Sequence, residues 1–166
     1  DCYGIDMAKI EDFIALTNLD VSYLDLTVLD LSFNVNLISL KCQCNDLVSL
    51  DLSSNPLLTY LECQLQEFPG LSTLDLSNNA NLAYLECSSN NLTNLNVSQC
   101  SSLNHLDCWN NVGLSKLDVS QNSFLTYLAV NECFTLNSLD VRNGNNTNFT
   151  FFDALSNNLN CISVDN

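Results

Sequence analysis

The chain has 166 residues, 46% of them hydrophobic, and its 19 acidic against 4 basic residues give a formal net charge of -15. A surface so acidic repels phosphate backbones and anionic lipid, which argues against nucleic acid and membrane surfaces as partners. No apolar run approaches the roughly 20 residues of a membrane span, and the first residues lack the basic and apolar regions of a secretory leader, so an excised domain of a larger protein is the expectation.

Residues 1–15, DCYGIDMAKIEDFIA, follow no repeat. Ile10, Phe13 and Ile14 stand at helical spacing, with Asp6 a candidate N-cap, so this stretch is expected to form a short helical N-terminal cap, with Cys2 within it. From Leu16 to the end at residue 166, a template L-x-x-L-x-(L/V/C)-x-x-N runs twice per unit. Leu82 to Ser102, LAYLECSSNNLTNLNVSQCSS, displays both copies. Units open at Leu16, Leu37, Leu58, Leu82, Leu103, Leu125 and Phe149, a 21-residue period with small insertions. A fixed period in this range is the mark of a solenoid, in which each turn buries its apolar face against the next.

The apolar positions fall into two rows. One contains Leu37-Leu40-Cys42, Leu58-Leu61-Cys63, Leu82-Leu85-Cys87 and Leu103-Leu106-Cys108; the other runs from Leu26-Leu29-Leu31 to Leu159-Ile162-Val164. Alternation within L-x-L has the period of a strand, and each triplet is too short for a helix. The prediction is a β-rich repeat solenoid of about seven turns, short parallel strands on both faces, and little helix beyond the cap.

Asn34, Asn45, Asn55, Asn79, Asn90, Asn111, Asn122 and Asn157 each follow the last apolar position by three residues. A carboxamide both donates and accepts, so these side chains can pair the backbone groups that a buried turn strands. Leu24, Gln66 and Gly144 break the pattern and mark irregular turns. Of the nine cysteines, Cys42, Cys63, Cys87 and Cys108 share one inward column, and Cys100 and Cys133 take the place of the turn Asn. They read as a ladder of buried free thiols rather than a disulfide framework, because parallel inward side chains suit a bridge poorly. Two insertions, QLQEFPGL with Pro69-Gly70 and RNGNNTN over residues 142–148, are expected to project as loops.

The repeats LTYLEC, LDLSSN and LNVS, and the closing NGNNTNFTFFDALSNNLNCISVDN, resemble the leucine-rich repeat superfamily, and within it the bacterial type with a nested half-period often called IRREKO-type. They look like repeats in secreted or surface proteins of flavobacteria. That resemblance covers roughly residues 16–166 and implies a secreted or cell-surface recognition module with a further domain following the solenoid.

Outward positions of the first row carry the chemistry. One column reads Asn18, Ser39, Tyr60, Tyr84, His105, Tyr127, Phe151; the next reads Asp20, Lys41, Glu62, Glu86, Asp107, Ala129, Asp153, with Trp109 one column further. Aromatic rings beside carboxylates suit sugars, through C–H stacking and hydroxyl donors, or basic protein segments, through ion pairs and cation–π contacts. The ligand-binding candidates are Tyr60, Glu62, Tyr84, Glu86, His105, Asp107, Trp109 and Tyr127, with an extracellular protein or polysaccharide as partner. Equally open at this point is a plain stacking ladder in a spacer that presents a neighbouring domain. In the second row, Asp30, Asp51, Asp75, Asn96, Asp118 and Asp140 recur in L-D-(L/V)-S, where a serine hydroxyl would serve the carboxylate. No enzyme is expected: one histidine and a flat exposed sheet provide neither a zinc set nor an oxyanion hole. No metal or cofactor is assigned, and the oligomeric state stays open.

Overall fold

The computed structural model describes residues 10–166. Among them, ten three-residue strands form two parallel sheets. Seven belong to the first row: β1 (Asn18–Asp20), β2 (Ser39–Lys41), β3 (Tyr60–Glu62), β4 (Tyr84–Glu86), β5 (His105–Asp107), β7 (Tyr127–Ala129) and β9 (Phe151–Asp153). They lie side by side in the order β1-β2-β3-β4-β5-β7-β9, one per turn. The second sheet has three: β6 (Lys116–Asp118), β8 (Ser138–Asp140) and β10 (Cys161–Ser163). This is the β-solenoid of about seven turns that the period dictates. No helix of the described residues is long and apolar enough to cross a membrane.

Register is the main consequence of the repeat. Tyr60 pairs with Tyr84, Leu61 with Leu85 and Glu62 with Glu86, and every other strand pair likewise matches equivalent positions. Between the rows runs one continuous core in which Leu40, Leu61, Leu85, Leu106 and Leu128 are completely buried. Each such leucine contributes on the order of 1.5–3 kcal/mol by leaving water.

Second-row strands are confined, among the described residues, to the last three turns, and the spacing after the turn residue accounts for most of this. Where the sequence reads N-x-x-L or C-x-x-L, the leucine N–H closes a turn onto the Asn or Cys carbonyl, as in Leu58 to Asn55 at 3.2 Å and Leu103 to Cys100 at 3.0 Å. A strand then begins. The second row has that spacing before β6 and β8, where Leu114 donates to Asn111 O at 3.0 Å and Leu136 to Cys133 O at 2.8 Å. Elsewhere in the second row the leucine N–H is taken by the next turn's amide: Leu26 by Asn45 Oδ1 at 3.0 Å, Leu47 by Gln66 Oε1 at 3.1 Å, Leu92 by Asn111 Oδ1 at 3.0 Å. β10 follows the short spacing and still pairs with β8.

The asparagines thus form two unlike ladders. After the first row, Asn90 accepts from Leu71 N–H at 3.0 Å and donates to the Cys63 and Cys87 carbonyls at 3.0 and 3.1 Å. Gln66, expected to mark an irregular turn, belongs to this ladder: its Nε2 reaches Cys42 O at 2.9 Å and Cys63 O at 3.2 Å. The irregularity is the insertion behind it. After the second row the amide is used at one end only. Asn55 donates to Leu31 O and Asn34 O at 3.2 and 3.0 Å, while its Oδ1, like that of Asn79 and Asn122, finds no partner among the described residues. The expectation that each Asn satisfies both kinds of backbone group therefore holds for one ladder and fails for the other. Asn143, two residues rather than three behind Val141, continues the second ladder by donating to Asn122 O at 3.1 Å.

Other details also depart from the sequence reading. The described part of the N-terminal cap is a single 3-10 turn, Ile10–Asp12, and Phe13 and Ile14 are exposed, so their helical spacing reflects no buried face; Cys2 and Asp6 lie outside the described residues. In the L-D-(L/V)-S motif the serine's main-chain N–H donates to the aspartate, at 2.9 Å for Ser32 on Asp30, Ser53 on Asp51 and Ser77 on Asp75. These bonds together with the serine hydroxyls hold the three carboxyls below the usual carboxylate range, the main-chain bond leading for Asp30 and Asp75 and the hydroxyl for Asp51.

Cys42, Cys63, Cys87 and Cys108 form the inward column as free, fully buried thiols; burial, with help from Glu62, pushes Cys42 up to about 12 and burial raises the other three as well. Since the thiolate is the reactive species, these four should resist a maleimide in the folded protein. Peptide mapping after brief labelling at pH 7.5 is expected to find adducts on Cys161, which is exposed, and Cys44, which is half-buried, and on the column only after denaturation. A separate comparison measures the two Asn ladders by urea unfolding. Asn90→Ala strands one N–H and at least two carbonyls and should cost about 2–4 kcal/mol, whereas Asn55→Ala also removes an unpaired oxygen and should cost about half that.

Candidate recognition face

Strands β3, β4, β5, β7 and β9 each present their first residue outward, and the shared register stacks those residues. Rings of Tyr60, Tyr84, His105, Tyr127 and Phe151 form one pile, with successive centroids 4.3, 4.1, 3.9 and 4.5 Å apart and planes within 16° of parallel. From Tyr84 to Tyr127 each ring is covered on both faces, while Phe151, at the end of the pile, is stacked on one face and 42% exposed. What it offers solvent is a row of ring edges and phenol oxygens. Lys41 caps one end, its Nζ 5.2 Å from the Tyr60 centroid.

Alongside lies the acidic column, placed by the third residue of each strand. Glu62 pairs with Glu86, and Glu86 with Asp107. Tyr60 and Tyr84 donate their hydroxyls to Glu62 Oε1 and Glu86 Oε1, so two aromatic rings and two carboxylates are tied crosswise. Both phenols are raised above their ordinary value, first by burial and then by the adjacent glutamate. Glu62, buried to 8% exposure, takes a further bond from Lys41 Nζ at 3.1 Å. Glu86 Oε2 accepts from Gln64 Nε2 at 2.7 Å.

His105 and Asp107 are served less well. The imidazole is squeezed between Tyr84 and Tyr127, and burial lowers its pKa, so it is neutral at pH 7. Its Nε2 is 3.8 Å from Glu86 Oε1, too far to hydrogen bond, and has no partner among the described residues. Asp107 accepts at 3.4 Å from the Trp109 main-chain N–H. Burial pushes its carboxyl up to about 6, Glu86 adds to the rise, and the Trp109 bond opposes it. Ser89, one turn before the histidine's unit, turns its hydroxyl to Asn110, whose Nδ2 donates at 3.2 Å.

All eight candidate residues are therefore placed along the first-row face or at its margin. Seven of them, from Tyr60 to Tyr127, stand on β3, β4, β5 and β7; Trp109 is half-buried in the turn after β5. Two participants escaped the sequence reading as site residues. Lys41 neutralises Glu62, and Gln64 positions Glu86; both were visible in principle, since Lys41 precedes Glu62 in one column and Gln64 occupies the column of Trp109.

No protein-family model matches the chain, and no curated protein matches it. Solved structures do. The functional domain of InlJ from Listeria monocytogenes, described as including a cysteine ladder, is 30% identical with a TM-score of 0.84, over 97% of this chain and 36% of its own. A leucine-rich repeat protein of Leptospira interrogans is 22% identical with a TM-score of 0.65, over 93% of this chain and 40% of its own. An internalin, InlF, from Listeria monocytogenes is 18% identical with a TM-score of 0.65, over 97% of this chain and 53% of its own. The fold is accordingly of the leucine-rich-repeat type found in these bacterial proteins, and the chain spans between about a third and a half of their lengths.

Asp107 yields a pH test. Its carboxyl ionises at 3.8 when unfolded and about 6 when folded, so ionisation costs stability: nothing below pH 3.8, more as pH rises, and the full amount above 6. Asp107→Asn should raise the melting temperature at pH 8 by a few degrees, on the order of 1 kcal/mol once partial exposure is discounted, and leave it unchanged at pH 3.5. Paired thermal scans of the two proteins at both pH values check this.

Proposed function

We propose that this chain is a non-catalytic recognition and adhesion module of a secreted or surface-displayed bacterial protein, and that its first-row face binds an extracellular protein. The observation that carries the reading is Asp107: a half-buried carboxyl in register with Glu86 whose one bond is a 3.4 Å contact from the Trp109 N–H, and which burial pushes up to about 6. Groups held against their own stability mark candidate functional sites. Closed ring faces favour protein over polysaccharide, since a sugar would need an open aromatic face on which to stack. Ring edges, phenol oxygens and a line of carboxylates suit arginine and lysine side chains instead. The acidic surface would also speed encounter with a cationic partner. Within the leucine-rich-repeat type, the nested doublet is read as the IRREKO form.

A spacer with no ligand of its own is the second reading, and the five-ring pile favours it, because stacked rings stiffen a rod whether or not anything binds. One experiment separates the two. Extracellular proteins and a polysaccharide array are probed with the wild type, with Glu86→Gln/Asp107→Asn, and with Tyr84→Ala/Trp109→Ala. A recognition face predicts a saturable protein ligand whose affinity falls at least about tenfold in the charge-neutral pair, which keeps side-chain size and removes only the charge. Folded wild type that binds nothing, or binds equally well after both double substitutions, would leave the spacer.

A further inference from the structure

Where the chain turns from the first row to the second, it repeats a backbone conformation that the sequence does not advertise. Tyr23, Cys44, Leu65, Ser89, Asn110, Glu132 and Ser156 all have positive φ, between 50° and 61°, at one equivalent position in each turn, and in the first turn Asp25 adds a second at 55°. Asparagine tolerates that region and bulky side chains resist it. Tyr23 and Leu65 are nevertheless held there and left largely exposed, at 70% and 47%. Two residues further on, successive turns carry Asp25, Asp46 and Glu67, stacked by the main-chain bonds Asp46 N to Leu26 O at 2.9 Å and Glu67 N to Asn45 O at 2.7 Å.

These two columns meet in a cleft of about 560 Å³ whose lining includes Tyr23, Cys44 and Leu65 together with Asp25, Asp46 and Glu67. None of its lining residues is basic. Lys41 and Arg142 are committed elsewhere, to Glu62 and Asp140. Next in the chain to Glu67 comes Phe68, at the head of the Pro69-Gly70 turn and 99% exposed. A phenyl ring placed wholly in solvent, next in the chain to a residue of the cleft, is apolar surface left open to a partner.

We propose that this corner is a second contact surface, distinct from the first-row face, and that it takes an extended peptide segment in which basic and apolar residues alternate. Charge complementarity selects the occupant. Successive side chains of an extended chain point to opposite faces, so an alternating segment presents its cationic groups as one set to Asp25, Asp46 and Glu67 and its apolar groups as another to Tyr23 and Leu65. The cleft is too open to enclose a small molecule and too acidic for an anionic one.

The test titrates labelled octapeptides against the purified chain and follows fluorescence anisotropy: alternating Arg-Leu, alternating Arg-Ser and alternating Glu-Leu. Arg-Leu should bind at least about tenfold more tightly than Arg-Ser, and Glu-Leu not at all. Asp46→Asn/Glu67→Gln should lose about tenfold, and Phe68→Ala and Leu65→Asn several-fold each. Asparagine suits the left-handed backbone at position 65, so that variant should fold at least as stably as the parent. Asp51→Asn/Asp75→Asn in the second row, which removes the same two charges away from the cleft, should change affinity less than twofold. Equal binding of Arg-Leu and Arg-Ser, or equal losses from both acid pairs, would reduce the effect to diffuse attraction by the net charge and overturn the proposal. Failure here leaves the first-row reading untouched, because the two surfaces share none of the substituted residues.

Discussion

The structure depends on a carboxamide that is shared between turns. In the ladder of Asn45, Gln66, Asn90 and Asn111, one side chain closes its own corner, reaches back to a carbonyl of the preceding turn, and accepts an N–H from that turn as well. A buried corner would otherwise strand those groups at a cost of about 1–3 kcal/mol each. Because the same atom set must recur at each step, successive turns are locked in register with no freedom to slip. The leucine core then follows, since equivalent leucines always face one another.

Locked register has a second effect: like meets like. For aromatic side chains this is favourable, and a stacked pair adds on the order of 0.5–1.5 kcal/mol beyond its burial. For carboxylates it is unfavourable, by about 1 kcal/mol per pair in water at turn spacing and more where water is scarce. On the second row the chain lessens the cost with a main-chain N–H donated to each of Asp30, Asp51, Asp75 and Asp118. On the first row, Glu62 has a lysine and a phenol, Glu86 a phenol and a glutamine, and Asp107 a single long bond. Compensation declines along the column.

Columns were legible in the sequence because a fixed period turns chain offset into spatial neighbourhood. Tyr60, Tyr84, His105 and Tyr127 had to adjoin, as did Glu62, Glu86 and Asp107, and the thiols of Cys42 to Cys108 had to be buried. What offset does not encode is side-chain direction and the division of hydrogen bonds. Whether rings lie flat on one another or splay is a matter of rotamers, and here the flat arrangement closes the faces that a sugar would need. The two Asn ladders differ through one residue of spacing, N-x-L against N-x-x-L, which decides whether a leucine N–H goes to its own turn or to the next turn's amide. The left-handed corner column was hidden for another reason: Ser89, Asn110 and Ser156 are ordinary turn residues, but Tyr23 and Leu65 are not, so composition gave no consistent signal.

A solenoid of this kind cannot shape a pocket by bending its backbone, so its specificity rests on where a column is interrupted. The acidic column of the first row is broken by Lys41 on one side and Ala129 on the other. Between those breaks, Lys41 discharges Glu62, which leaves Glu86 and Asp107 as the uncompensated pair, flanked by the one neutral imidazole in the ring pile. The interruptions therefore put the centre of negative potential over β4 and β5, midway along the sheet, where neighbouring turns on both sides keep it rigid. A partner that supplies a cation there would relieve the strain on Asp107, and the free energy recovered would enter its binding affinity directly. Moving the lysine by one turn would move that centre with it while leaving the fold unchanged, and in this sense the column sequence, rather than the backbone, encodes the charge pattern of the face.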